Sequence, residues 1–158
     1  MKGLVIYDSV FGNTQKVAEE IATVLGYSLV SVKSINEQQL KGIEHLVVGS
    51  PTRAFKPTED MQKFLKALPA GMLKGVKVSV FDTRMDIKEV NNQFLTFMTG
   101  IFGYAAGSMT KSLTKKGAVL IGTQGDFIVT ESEGPLKDGE LERASVWAKG
   151  LEFHSPEK

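Results

Sequence analysis

The chain has 158 residues and no cysteine, and its 19 Lys and Arg stand against 18 Asp and Glu for a formal net charge of +1. That length suits a single domain over 1–158 with a full core, the missing thiols exclude disulfides and thiolate metal sites, and the balanced charge gives no field to draw nucleic acid or an anionic membrane. No stretch reaches the about 18 apolar residues of a membrane span, and "MKGLVIYDS" is too short an apolar start for a secretory signal, so a cytoplasmic protein is expected.

Apolar runs then alternate with helical spacing along the chain. "GLVIY" (3–7) reads as a strand, and Val17, Ile21, Val24 and Leu25 follow on one helix face. "YSLVSV" (27–32) is a second strand and "INEQQL" (35–40) a short helix or turn; "HLVVGS" (45–50) is the third strand. Met61, Phe64, Leu65 and Leu68 predict a helix that Pro69 stops. "VKVSVFD" (76–82) is the fourth strand, and "GAVLIG" with "DFIV" reads as one strand broken at "TQG". Leu141, Ala144, Ala148 and Leu151 give a last helix. Between the fourth and fifth strands, Val90, Phe94, Phe97, Met98, Ile101 and Phe102 fall at helical spacing, with a second helix near 105–116. The aromatic face over 87–107 reads as core, as a homodimer surface or as a lid beside a ligand.

Two-side-apolar strands separated by helices imply a parallel sheet covered on both faces. Ligands of such sheets sit beyond the carboxyl ends of the strands, where strand order reverses. That directs attention to "DSVFGNT", "SPTRAFKP" and "DTRMD".

The first of these has the makings of an anion site without a cation. A helix starting near Asn13 leaves backbone N–H groups unpaired and partly positive, and a phosphate can accept them. Gly12 permits close approach, Ser9 and Thr14 carry hydroxyls, and Asn13 offers an amide or a cap. Lacking the Lys of a triphosphate loop, "SVFGNTQ" suits a phosphomonoester; the plainer alternative is an ordinary capped helix start. Asp8 would repel a phosphate, so it must turn away or be offset by Lys16 or Arg53. In the second loop Pro51 and Pro57 stiffen the chain, and Phe55 and Arg53 can stack on a flat ring unless Phe55 tucks into the protein. In the third, Asp82, Thr83 and Arg84 can pair with the edge of a heterocycle. His45 and His154 are far apart in sequence, and neither a metal site nor a nucleophile–His–acid set is evident.

Together the three loops resemble the flavodoxins and flavodoxin-like domains. Ser9, Val10, Phe11, Gly12, Asn13 and Thr14 fall on the family's phosphate loop, [ST]-x-[TFY]-G-N-T, and the Y-D-S start is similar to flavodoxin modules of flavodiiron proteins. "GSPTR" resembles the loop that borders the isoalloxazine, and "EGPLKDGELERASVWAKGL" resembles the ending of single-domain flavodoxin-like proteins. The resemblance implies a doubly wound, five-stranded parallel α/β sheet in order 2-1-3-4-5 with helices on both faces. It implies FMN at the carboxyl edge, held by the phosphate loop, by Pro51, Thr52, Arg53, Ala54 and Phe55, and by Asp82, Thr83 and Arg84. Phe11 stands where Thr is commonest, and "DTRMDI" lacks the usual stacking aromatic, for which Tyr104 or a Phe of 87–102 could substitute.

The expected role is a one-electron carrier serving redox partner proteins, with the chemistry supplied by the flavin. The alternatives are an FMN-dependent NAD(P)H:quinone or flavin reductase with a small quinone as substrate, and a flavin-free binding module. Arg53, Lys56 and Arg84 on the flavin loops are expected to make the reduction potential less negative than in acidic flavodoxins.

Overall fold

In the computed structural model, residues 2–86 and 103–152 are described. The elements follow in the order β1 (Gly3–Tyr7), α1 (Asn13–Leu25), β2 (Ser28–Ser31), a 3-10 turn (Glu37–Leu40), β3 (His45–Pro51) and α2 (Glu59–Ala67). After them come β4 (Lys77–Met85), α3 (Ala105–Lys115), β5 (Val119–Leu120), β6 (Gly125–Val129) and α4 (Glu140–Glu152). All strand pairs are parallel, in the order β2-β1-β3-β4-β5, with β6 also on β4. This is the expected order 2-1-3-4-5. Its fifth position is shared: β5 pairs with Lys77 and Val78, and β6 with Phe81 to Met85. The interruption at "TQG" is where one partner of β4 gives way to the other.

Strand alternation divides the core into two layers. Leu4, Ile6, Leu46, Val48, Val78 and Val80 point to one face, where Met61 and Leu65 of α2 and Met109 and Leu113 of α3 cover them. Val5, Val47, Phe81 and Phe127 point to the other, under Val17 and Ile21 of α1 and Ala148 and Leu151 of α4. Small residues let aromatics fill this second layer. A Cβ on Gly49 would lie 2.0 Å from the Phe81 ring.

Helix ends follow local chemistry. α1 opens at Gly12 (φ 92) and closes at Gly26 (φ 70), both left-handed positions that favour glycine. α2 opens on Thr58, whose hydroxyl accepts the Met61 N–H. It ends before Leu68, which takes an extended conformation ahead of Pro69.

Two expectations are revised. β4 runs to Met85, so the "DTR" segment is strand rather than loop; pairing with β6 supplies the ladder that carries it on. In α4, Leu141 faces out at 41% exposed, and Glu140 takes the inward place. The Glu140 carboxylate accepts the Ile128 N–H and an Arg143 N–H, both at 2.6 Å. The aromatic helix of 87–102, with the dimer or lid readings attached to it, lies outside the described residues, whereas the helix expected near 105–116 is α3.

Candidate functional site at the carboxyl edge of the sheet

Beyond the carboxyl ends of β1, β3 and β4 lies a cavity of about 550 Å³. The first loop lines it through Ser9, Val10, Phe11, Asn13 and Thr14. The second contributes Pro51, Thr52, Arg53, Ala54 and Phe55, and β4 contributes Thr83 and Arg84. Of the residues expected to hold the cofactor, only Gly12 and Asp82 do not line it. Met85, Tyr104, Val129 and Ser132 complete the wall. The sequence reading missed Met85, Val129 and Ser132; the extension of β4 and the junction after β6 would have flagged them.

The first loop is arranged around Ser9. Its Oγ accepts the Gly12 N–H at 3.1 Å and the Gln15 N–H at 3.3 Å. α1 has no side-chain cap at Gly12. Among the described residues, the N–H groups of Asn13 and Thr14 meet no acceptor. Open first-turn amides at a cavity are donors for an anion. Asn13 is not a cap: its amide donates to the Glu133 carbonyl at 3.0 Å and ties the loop after β6 to α1. The Thr14 and Thr83 hydroxyls are 2.7 Å apart, which fastens α1 to β4.

Asp8 is offset by neither Lys16 nor Arg53. It is buried, and its carboxylate accepts the Ser9 N–H and the Thr58 hydroxyl at the start of α2. The positive end of that helix and these two donors stabilise the buried carboxylate. Arg53 instead lies over the Phe11 ring, 5.2 Å from its centroid.

The second loop makes a tight reversal. Arg53 and Lys56 exchange both backbone hydrogen bonds, at 2.7 and 3.0 Å, across Ala54 (φ 48) and Phe55 (φ 69). Two successive left-handed residues define the two-residue turn that usually takes Asn-Gly. Ala and Phe here store strain beside the cavity.

The third wall is an ion pair on an aromatic ring. β4 alternation puts Asp82 and Arg84 on the α3 face and Thr83 on the α1 face. Arg84 donates to both oxygens of Asp82, at 2.7 and 2.8 Å, and its guanidinium carbon sits 3.4 Å from the Tyr104 ring centroid. Burial pushes the Asp82 carboxyl up, while Arg84 and the Ala106 N–H work against that. Burial alone would lower the Arg84 pKa, but Asp82 outweighs it and the net shift is upward. The start of α3 is stitched to the other loops: the Ala105 N–H donates to Thr52 Oγ1 at 3.1 Å and the Ala106 N–H to Asp82 at 3.0 Å. Asp82 therefore does not present its edge to a ligand, because Arg84 and α3 use it up. No cluster of three or more metal-ligating side chains occurs among the described residues, and no helix among them is long and apolar enough to cross a membrane.

A parallel 2-1-3-4-5 sheet with its cavity at the carboxyl edge defines a flavodoxin-like α/β protein. The chain belongs to the flavodoxin domain family, which matches residues 4–123. Its fold is similar to that of oxidised flavodoxin 1 from Bacillus cereus, with TM-score 0.74 and 17% identity over 99% of this chain and 100% of that one. A flavodoxin from the domain Archaea gives TM-score 0.71 and 18% identity over 96% of each chain. Rubredoxin oxygen:oxidoreductase from Desulfovibrio gigas gives TM-score 0.71 and 16% identity over 95% of this chain and 35% of that one. At such identities the likeness carries the fold alone. No curated protein matches the sequence.

Proposed function

We propose that the protein binds FMN in the carboxyl-edge cavity and serves as a one-electron carrier. The observation that carries this reading is the pairing of open α1 amides with flat side-chain walls in one cavity of about 550 Å³. That volume lies within the ~300–1,000 Å³ of ordinary small-molecule sites. The family typically binds FMN, and these residues fit it. The Asn13 and Thr14 N–H groups and the Ser9 and Thr14 hydroxyls would hold the phosphate. The 51–55 loop and the Arg84–Tyr104 stack would flank the ring system.

FMN, when bound, supplies the electron chemistry. The protein's own residues bind, orient and shield. The Ser9 hydroxyl, whose oxygen accepts the Gly12 and Gln15 amides, keeps its own hydrogen and would donate it to the phosphate. The Arg53–Lys56 turn sets Ala54 and Phe55 in the cavity wall, where they would face the ring system. Val10 (52% exposed) and Phe11 (44% exposed) give the mouth an apolar rim on which a redox partner protein can dock.

The carrier role is tested with FMN-loaded, chemically reduced protein. The expected result is rapid one-electron reduction of a haem-protein acceptor, without steady-state oxidation of NAD(P)H by a quinone. Sustained NAD(P)H–quinone turnover would instead establish a reductase.

A further inference from the structure

The Asp82–Arg84–Tyr104 cluster does more than build a wall. Asp82 is fully buried, and all three of its described donors are accounted for: two guanidinium N–H groups and the Ala106 amide. Arg84 is the cation of the β4 segment that lines the cavity. Its side chain is 15% exposed, and a second carboxylate, Asp126, lies 3.9 Å from it. A guanidinium paired to a buried carboxylate through two parallel hydrogen bonds keeps its planar face, yet its field is largely cancelled at a distance. Stacking on Tyr104 fixes the plane.

We propose that Asp82 is a positioning residue that sets the redox electrostatics of the site: it holds Arg84 as a flat, charge-compensated pair against Tyr104, so that Arg84 gives the cofactor a surface without a net positive charge. This rests on the FMN reading. It also changes the expected charge balance at the flavin, since Arg84 drops out and leaves Arg53 and Lys56 as the cations of the flavin loops. An unpaired cation near the ring would favour the anionic reduced form. Asp82 suppresses that effect at Arg84.

The test is a redox titration of the FMN-loaded wild type, Asp82→Asn, Arg84→Met and the double variant. Asp82→Asn leaves the guanidinium only the half-exposed Asp126 at 3.9 Å, which water screens, so the affinity for reduced relative to oxidised FMN is expected to rise ~tenfold. The double variant removes the freed charge and returns to the wild-type value. Arg84→Met strands a buried carboxyl that takes up a proton, so the wall stays neutral and the potential stays at the wild-type value. If Asp82→Asn does not fold, Arg84→Met decides alone. A fall in potential in Arg84→Met, or a wild-type potential in folded Asp82→Asn, overturns the inference while leaving FMN binding intact. A wild type that takes up no FMN overturns the proposed function itself, and this inference with it.

Discussion

Gly12→Asp is the sharpest perturbation of the anion site, because its effect separates into a backbone part and a charge part. Gly12 is the first-turn boundary of α1 at φ 92, and no heavy atom lies within 4 Å of a Cβ placed there. A side chain therefore meets no steric clash. It does meet left-handed strain of ~1–2 kcal/mol, which Gly12→Ala shares. That strain lowers the stability of the free and loaded protein alike, so it leaves FMN affinity nearly unchanged. The carboxylate adds repulsion against a phosphate on the neighbouring amides. One unit charge on each at ~5 Å and an effective dielectric of ~20 gives ~3 kcal/mol, which is more than ~100-fold in Kd. Fluorescence titration of FMN into wild type, Gly12→Ala and Gly12→Asp measures both parts. The expected result is near-wild-type affinity for Ala and a loss of that size for Asp, shrinking as salt is raised. Equal affinity for Asp and Ala would place the phosphate elsewhere, and an equal large loss in both would make the effect backbone strain.

Three more outcomes are expected. Arg53→Glu reverses a cation at the cavity rim and should make the FMN potential more negative, read by redox titration; no change would remove Arg53 from the flavin's surroundings. Thr58→Val removes both the cap on Met61 and the hydroxyl that Asp8 accepts, so stability should fall by ~2–4 kcal/mol, seen as a lower urea midpoint at constant slope. His45 is buried between the Tyr27 hydroxyl (2.7 Å) and the Ser79 hydroxyl (2.9 Å), and burial with Lys77 nearby pushes its pKa down to about 4. The unfolded chain then binds a proton that the folded one refuses. Its contribution is full above pH ~6.5 and falls by about 3 kcal/mol as pH drops through about 4. Urea unfolding across that window should show the loss in wild type and a smaller one in His45→Gln.

Much of the framework was legible because parallel strands buried on both faces write themselves as apolar runs. β1, β3 and β4 begin within a residue of where those runs do. The loops that line the cavity were legible because ligands of parallel sheets sit beyond the carboxyl ends of the strands, where these loops begin. What escaped was pairing. Asp82 and Arg84 both read as ligand contacts, yet a spacing of two on a strand puts them on one face, where they satisfy each other. That spacing was the available signal. Asp8 posed a real electrostatic problem, but its answer, Thr58, lies 50 residues away, and only the fold brings the two together. Leu141 and Glu140 fit helical spacing almost equally well. The choice fell to Glu140 because β6 needs an acceptor for the Ile128 amide.

The most direct test of the central claim is a titration of the purified protein with FMN, followed by visible absorbance and flavin fluorescence. One equivalent should bind to saturation, with quenched fluorescence and shifted flavin bands, and inorganic phosphate should compete weakly for the α1 amides. Absence of any spectral change at saturating FMN would contradict the claim and leave a flavodoxin fold put to another use.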